Sequence, residues 1–203
     1  MKDRTRIARS LSLLVGCLAL ILVGACGSTE DEPTPRAEQP AADAPTDATV
    51  VAGISFVPPA DWTVLGTSGM RQAQYQFPAV GEDTAPGEVN VFYFGPRSGG
   101  GVEANLQRWI AQMTVADGVG PERTSFQADG LPGHVIALDG IYTAGGMGPR
   151  AGSGEPKPGY RLVGVVLEGP QGSLFFKLTG PAATARAMEP GLMSMVERAR
   201  KAG

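Results

Sequence analysis

Along much of the chain after residue 50, apolar side chains recur every second position. "RQAQYQF", residues 71–77, sets Ala73, Tyr75 and Phe77 on one face and Gln72, Gln74 and Gln76 on the other, the alternation of a half-buried strand. Ile54 to Val57 is a shorter apolar stretch that leads into "PPADW". "EVNVFYFG", residues 88–95, is apolar on both faces after Asn90 and predicts a central strand covered on both sides. "RTSFQA" (123–128) and "GHVIALDGIYT" (133–143) predict two more strands. "YRLVGVVLEG" (160–169) and "SLFFKLTG" (173–180) flank "PQG", the signature of a hairpin.

Two segments follow the helical period instead. In "GVEANLQRWIAQMTVA", Val102, Leu106, Trp109, Ile110 and Met113 line up as one apolar stripe. Gly118, Gly120 and Pro121 close that segment. A second helix is predicted from Pro181, a favoured first-turn residue, to about Arg200. Leu192, Met195, Val196 and Ala199 form its apolar face, and "ERARK" places positive charge near its end. Pro190 and Gly191 are expected to kink or split it. The order of strands, helix, strands and final helix does not alternate strand by strand with helix. It predicts a single α+β domain over residues 51–203, two helices packed on a mostly antiparallel sheet.

"FVPPADW", then "EVNVFYFG", then a glycine-led amphipathic helix and a final "FFKLTGP" strand-to-helix corner resemble the PsbP-like domains of small exported bacterial proteins. Phe56, Pro59 and Trp62 match the opening strand and turn of that fold. None is a catalytic position. The resemblance implies a fold used by the extrinsic subunit of photosystem II and by bacterial lipoproteins, chiefly as a binding or assembly module.

The N-terminus changes the picture of where such a domain works. Lys2, Arg4, Arg6 and Arg9 precede an apolar run from Leu11 to Val23, broken only by Ser12, Gly16 and Cys17 and followed by Gly24 and Ala25. Basic head, apolar middle and small-residue end make a signal peptide over residues 1–25, too short for a comfortable membrane span. "VGAC", residues 23–26, resembles the bacterial lipobox, which implies a diacylglyceryl group on Cys26, acyl chains such as palmitate, and Cys26 as the mature N-terminus. "LVGC" at 14–17 fits the same pattern, but too few apolar residues precede Cys17 for an h-region. Cleavage there would also leave "LALILVGA" exposed. Ordinary cleavage near Ala25 is the alternative, and it would leave an unpaired thiol in an oxidising compartment. Two or three acyl chains anchor a protein stably where one does not. The expected partner of this end is therefore a membrane, reached through lipid on Cys26, on the periplasmic or cell-surface side. If the host has two membranes, Gly27 after the cysteine, rather than Asp, points to the outer one.

Residues 26–50 carry Pro33, Pro35, Pro40 and Pro45, no aromatic residue, and six acidic side chains against Arg36 alone. A segment so poor in apolar surface does not offset its ordering entropy, so it reads as a tether. The whole chain carries −3 at neutral pH. With the signal peptide and the tether set aside, the domain is nearly neutral. That composition, with no basic cluster, argues against nucleic acid.

Catalytic and metal motifs are sparse. His134 is the chain's one histidine. As a general base it would need a nucleophile and an orienting carboxylate, and Ser125 and Asp139 are near in sequence but at no telling spacing. There is no GxSxG elbow and no His/Cys set for zinc. "ADG" (128–130) and "LDG" (138–140) read as isolated turns, not a calcium loop. "GGG", residues 99–101, lacks the dinucleotide and P-loop spacings and reads as a turn that starts a helix. No cofactor is expected. "AGGMGPRAGSGEPKPG", residues 144–159, predicts an unusually long loop in which Arg150 and Lys157 are candidate contacts to a partner. Three classes of function follow: a non-catalytic envelope lipoprotein that binds an unidentified envelope partner or assists assembly, a small-ligand or lipid carrier with a pocket between sheet and helices, and a hydrolase of unrecognised type.

Overall fold

A computed structural model describes residues 48–145 and 154–202. The strands are β1 (Thr49–Val51), β2 (Ile54–Phe56), β3 (Thr63–Leu65), β4 (Arg71–Phe77) and β5 (Gly87–Phe92), followed by helix α1 (Val102–Ile110). Then come β6 (Met113–Thr114), β7 (Glu122–Ala128), β8 (Leu131–Thr143), β9 (Pro156–Gly169) and β10 (Gly172–Pro181), helix α2 (Ala182–Glu197) and β11 (Arg200–Lys201). The fold is α+β. An antiparallel sheet runs β3-β4-β5-β10-β9-β8-β6, with β7 also paired to β8, and a small second sheet runs β1-β2-β11. Among the described residues no helix is long and apolar enough to cross a membrane.

The alternating pattern fixes the layers. Val89, Val91, Val163, Val165, Leu167, Leu174, Phe176 and Leu178 face one way and pack with Ala185, Met188, Leu192, Met195 and Val196 of α2. The intervening positions Ile136, Leu138, Leu162, Val166 and Phe175 face the other way and pack against Leu106 and Trp109 of α1. The long β9–β10 hairpin pairs Gly172 with Gly169 at its tip, as "PQG" predicts. "ADG" is the turn of the β7–β8 hairpin. There Asp129 (φ +50°) and Gly130 (φ +72°) both take left-handed backbone, as a two-residue I′ turn requires.

Several expectations shift, and "LDG" (138–140) lies within β8 instead of forming a turn, because its residues pair with Leu162, Arg161 and Tyr160 of β9. The first helix stops at Ile110 instead of running through residue 116, and Met113–Thr114 pairs with Tyr142 and Ile141 of β8. Met113 is buried in either period, and the far end of β8 offers an unpaired edge that the β-branched Thr114 fits. The Thr143 N–H donates to the Gln112 carbonyl at 2.9 Å, which pulls the chain out of the helix. The second helix is not split at Pro190. It runs unbroken from Ala182 to Glu197, although Pro190 has no N–H to give the Arg186 carbonyl. Buried Met188 and Leu192 hold it on both sides of the proline. Gly191 lets it lie against "PPADW", since a Cβ there would come within 3.0 Å of Pro59 and 3.1 Å of Trp62. "ERARK" does not end the helix, because Arg200 and Lys201 form β11 against β2. Finally, β1 includes Thr49 and Val50 of the stretch 26–50 expected to be tether, and β9 begins at Pro156, inside the expected 144–159 loop.

Helix α2 lacks a capping side chain of its own. Asp83, from the loop before β5, supplies one: its Oδ2 accepts from both the Thr184 N–H and the Thr184 hydroxyl at 2.7 Å. A carboxylate at a helix N-terminus also meets the positive end of the dipole.

Candidate functional site

Helix α1 is nine residues long, too short to cover its face of the sheet. Its start explains its place. Gly99 and Gly100 turn the chain at φ +89° and +83°. The Asn105 side chain then reaches back from the helix and donates to the carbonyls of Gly99, Gly100 and Gly101 at 2.8, 3.4 and 3.0 Å. "GGG" is thus a turn held by the helix it opens. Trp109 lies against Gly164 of β9, where any Cβ would collide with the indole. It also meets Phe175 edge-on at 6.5 Å between ring centres. Past Trp109 the helix ends and the sheet is left open.

In that opening lies a cleft of about 480 Å³, whose walls include Arg71, Glu88, Asn90, Tyr142, Tyr160 and Lys177. It adjoins a narrow slot of about 110 Å³ lined by the aromatic rings of Phe92, Phe94, Trp109 and Phe175 and by the polar side chains of Asn105, Arg108 and Gln112, and the two share Phe92, Gly145 and Lys177. Phe92 and Phe94 stack at 6.2 Å, and Phe94 meets Phe175 at 5.3 Å. The slot therefore adds aromatic surface to the polar cleft.

Lys177 stands at the junction. It pairs with Asn90 across β10 and β5 and with Gly164 across β10 and β9, and it points to the α1 face. Its Nζ donates to Gln112 Oε1 and, at 3.0 Å, to the Tyr142 hydroxyl, and it sits 4.9 Å from the centre of the Tyr142 ring. Among the described residues no carboxylate lies within ion-pair distance of it. Burial, reinforced by the nearby Arg71 charge, lowers its pKa from 10.5 to about 8. Burial, then the Glu88 charge, raises that of Tyr142 above the ordinary phenol value, so its O–H keeps its proton at neutral pH. Asn90 is only 8 % exposed, and among the described residues its Oδ1 has no hydrogen-bond partner. An ammonium has three protons, of which Lys177 commits two. The cleft thus offers an unclaimed ammonium proton, a phenol proton, a guanidinium and an unclaimed amide oxygen. This set can meet an anionic group and a hydrogen-bond donor together.

The residues singled out from the sequence fall in different places. Lys157 lies in β9 rather than in a loop. It is on the cleft wall, with its ammonium 5.5 Å from the centre of the Tyr160 ring, and Tyr160 stacks on Tyr142 at 6.0 Å. Arg150 and Cys26 lie outside the described residues. Gly145 lines the cleft and the Gly154 N–H donates to the Ala144 carbonyl at 3.3 Å. His134 and Asp139 are not brought together. Five residues apart on one strand, they face opposite sides of the sheet. His134 pairs with Glu168 at 2.8 Å. Ser125 is its register partner on β7, but no hydrogen bond between the two is present. Asp139 instead accepts from Arg161 at 2.9 Å and from Arg186 at 2.8 Å. Among the described residues no cluster of three His, Cys, Asp or Glu side chains is placed to hold a metal.

Two other hollows exist. One of about 550 Å³ lies between "VPP" and the end of α2, and one of about 470 Å³ lies beside Asp139. In the second, Asp139 Oδ1 is likewise buried without a hydrogen-bond partner among the described residues, but the charge of the carboxylate is already met by two arginines on its Oδ2. The first holds no buried polar atom lacking a partner. The cleft at Lys177 joins an unneutralised ammonium to an orphaned amide oxygen.

No family model and no curated protein matches the chain. Among solved structures, it is similar to LpqN of Mycobacterium tuberculosis, a protein involved in cell envelope biogenesis. The identity is 13 % with a TM-score of 0.46, over 72 % of this chain and 82 % of that one. It is also similar to PA94 of Pseudomonas aeruginosa, a protein of unknown function. There the identity is 16 % with a TM-score of 0.40, over 70 % of this chain and 85 % of that one.

Proposed function

We propose that this chain is a non-catalytic binding module of the bacterial cell envelope, exported by its signal peptide, anchored through lipid on Cys26 and set off from the membrane by the acidic tether, with a PsbP-like domain whose working surface is the cleft at Lys177. One observation carries the choice of surface. A half-buried ammonium with no carboxylate partner and a buried amide oxygen with no donor stand side by side, across one strand pair, in a hollow large enough for a small molecule or a peptide side chain. Unsatisfied buried polar groups cost stability, and a ligand that completes them accounts for their presence. Lys157 on the wall fits the same role, and Arg150 is a second candidate contact from the sequence. The hydrolase reading looked to His134 beside Asp139, and these two face opposite sides of the sheet.

Two measurements test this. Metabolic labelling with a tagged fatty acid should mark the wild-type chain and the Cys17→Ala variant, and leave Cys26→Ser unmarked. Label retained on Cys26→Ser removes the anchor. A photo-crosslinking phenylalanine analogue at Phe92, inside the cleft, should form an adduct in intact cells, while the same group at Val64, exposed on β3, should not. Adducts from position 64 alone place the working surface elsewhere.

A further inference from the structure

We infer that the cleft takes a small organic anion that carries a hydrogen-bond donor next to its charge and an aromatic or apolar body: the charge on Lys177 with Arg71 behind it, the donor on Asn90 Oδ1, the body in the slot beside Phe92, Phe94 and Phe175. This rests on the reading of the cleft as the binding surface and names what that surface recognises. The charge balance points to an anion. Facing Lys177 are Arg71 from β4, Glu88 from β5, Tyr142 from β8, and Lys157 and Tyr160 from β9. With Lys177 itself that is three cations to one carboxylate, and Arg108 of α1 lines the adjoining slot. No ion pair within 4.0 Å joins Glu88 to any of the three among the described residues. The repulsion between Arg71 and Lys177 that lowers the lysine's pKa is what a bound anion relieves.

The register specifies the rest. Lys177 and Asn90 are direct cross-strand partners, so their side chains start ~5 Å apart. One offers a proton and the other asks for one. A ligand satisfying both presents an anionic oxygen and an N–H or O–H a few ångströms apart. A bare inorganic anion satisfies only the first and leaves the aromatic slot empty. A metal cation meets one carboxylate and three positive charges. A nucleic acid strand meets a domain that is nearly neutral overall.

The test uses 8-anilinonaphthalene-1-sulfonate, an aromatic anion with an N–H beside its sulfonate, and N-phenyl-1-naphthylamine, the same body and N–H without the charge. Both are titrated by fluorescence into the mature chain carrying its tether, with Cys26→Ser to keep it out of membranes. The sulfonate is expected to bind one equivalent, ~10-fold or more tighter than the neutral probe, as one charge-assisted hydrogen bond provides. Lys177→Met and Lys177→Gln, each checked for folding by circular dichroism, should abolish that preference and leave the neutral probe's affinity unchanged. Asn90→Leu should weaken both probes. Raising the pH from 7 to 9 deprotonates Lys177 and should weaken the sulfonate only, while Lys177→Arg should bind it equally at both values. Equal affinity for the two probes, or a preference that survives both Lys177 variants, overturns the anion; if Phe94→Ala still weakens the neutral probe, the cleft remains the binding surface. Failure of both probes to bind stoichiometrically, or binding indifferent to Lys177, Asn90 and Phe94, overturns the anion and the cleft together.

Discussion

The two faces of the central sheet each hold a sunken cation, and they treat it in opposite ways. On the α2 face, Arg161 is 5 % exposed. Its Nε and Nη2 donate to the two oxygens of Glu189 at 2.8 and 3.2 Å, and its Nη1 donates to Asp139 at 2.9 Å. Its fork is matched by carboxylates from α2 and β8, and it fastens the helix to the sheet beside Pro190. On the α1 face, Lys177 has neutral oxygens alone within hydrogen-bond distance, and a proton to spare. A charge whose bonds are closed is part of the scaffold. A charge whose bonds stay open at the mouth of a hollow is available to a ligand. The cause is the unequal length of the helices: sixteen residues cover one face, and nine leave the other partly bare.

If that contrast holds, removing α1's anchor should cost more than anything done to the cleft. Trp109 is 6 % exposed and fills the space over Gly164. Trp109→Ala is expected to lose ~3–5 kcal/mol in urea titration, a large part of a domain's usual stability. A loss below ~1 kcal/mol would mean that α1 is not part of the core and that its face is open throughout. Next in size is Arg161→Met, which leaves Glu189 without its cation and Asp139 with Arg186 alone. Breaking a buried pair costs ~3–5 kcal/mol. Because both carboxylates retain some contact with water, the expected loss is ~3 kcal/mol by the same measurement. A neutral result would erase the distinction between the faces.

Lys177→Met should move the other way. A lysine whose pKa falls from 10.5 in the unfolded chain to about 8 in the fold disfavours the folded state wherever it is charged. Below pH 8 both states are protonated and the cost is fully present. Between pH 8 and 10.5 the folded chain releases its proton first, so the unfolded state binds more protons and stability rises with pH. Substitution by Met at pH 7 is expected to raise stability by ~1–3 kcal/mol, less whatever is lost when Gln112 and Tyr142 give up their donor. The rise in stability from pH 8 to 10 should vanish in the variant. A variant that is less stable than wild type, with the pH slope intact, would make Lys177 a structural residue like Arg161.

Much of the scaffold was legible because it is written in local period. The 71–77 alternation, the hairpin around "PQG" and the stripe through Leu106 and Trp109 each depend on neighbours a few residues apart. The errors fall where two periods agree or where a distant strand decides. Met113 suits a helix stripe and a strand edge equally, and only the free end of β8 settles it. Pro190 breaks an isolated helix, but Arg161, 28 residues before its partner Glu189, fastens this one to the sheet. The cleft was harder to see, because it depends on where α1 stops. Its cue was present nonetheless. Asn90 and Lys177 are polar interruptions of otherwise apolar strands, "EVNVF" and "LFFKL". A polar residue on a face that ought to be covered marks either a buried pair or a site. Lys157 was visible as a cation in an odd setting, though its strand was not.

The smallest expected effect belongs to the histidine. Tyr142 and His134 are eight residues apart on β8, which at ~3.3 Å per residue puts the imidazole ~26 Å from the cleft wall. His134 lines neither the cleft nor the other hollows. Its partner Glu168 is 45 % exposed and the imidazole 34 %, and exposed pairs of this kind contribute ~0–1 kcal/mol. His134→Gln should therefore shift stability by less than ~1 kcal/mol. It should also leave both naphthalene probes bound as in wild type and change no background hydrolysis of 4-nitrophenyl acetate. The Ser125, His134 and Glu168 side chains stand in a row across three strands, so the substitution is also the sharpest challenge to a non-catalytic reading. If wild type cleaves the ester above the buffer rate, and a folded His134→Gln chain does not, the working chemistry lies at the far end of the sheet and the contrast between Arg161 and Lys177 describes stability alone.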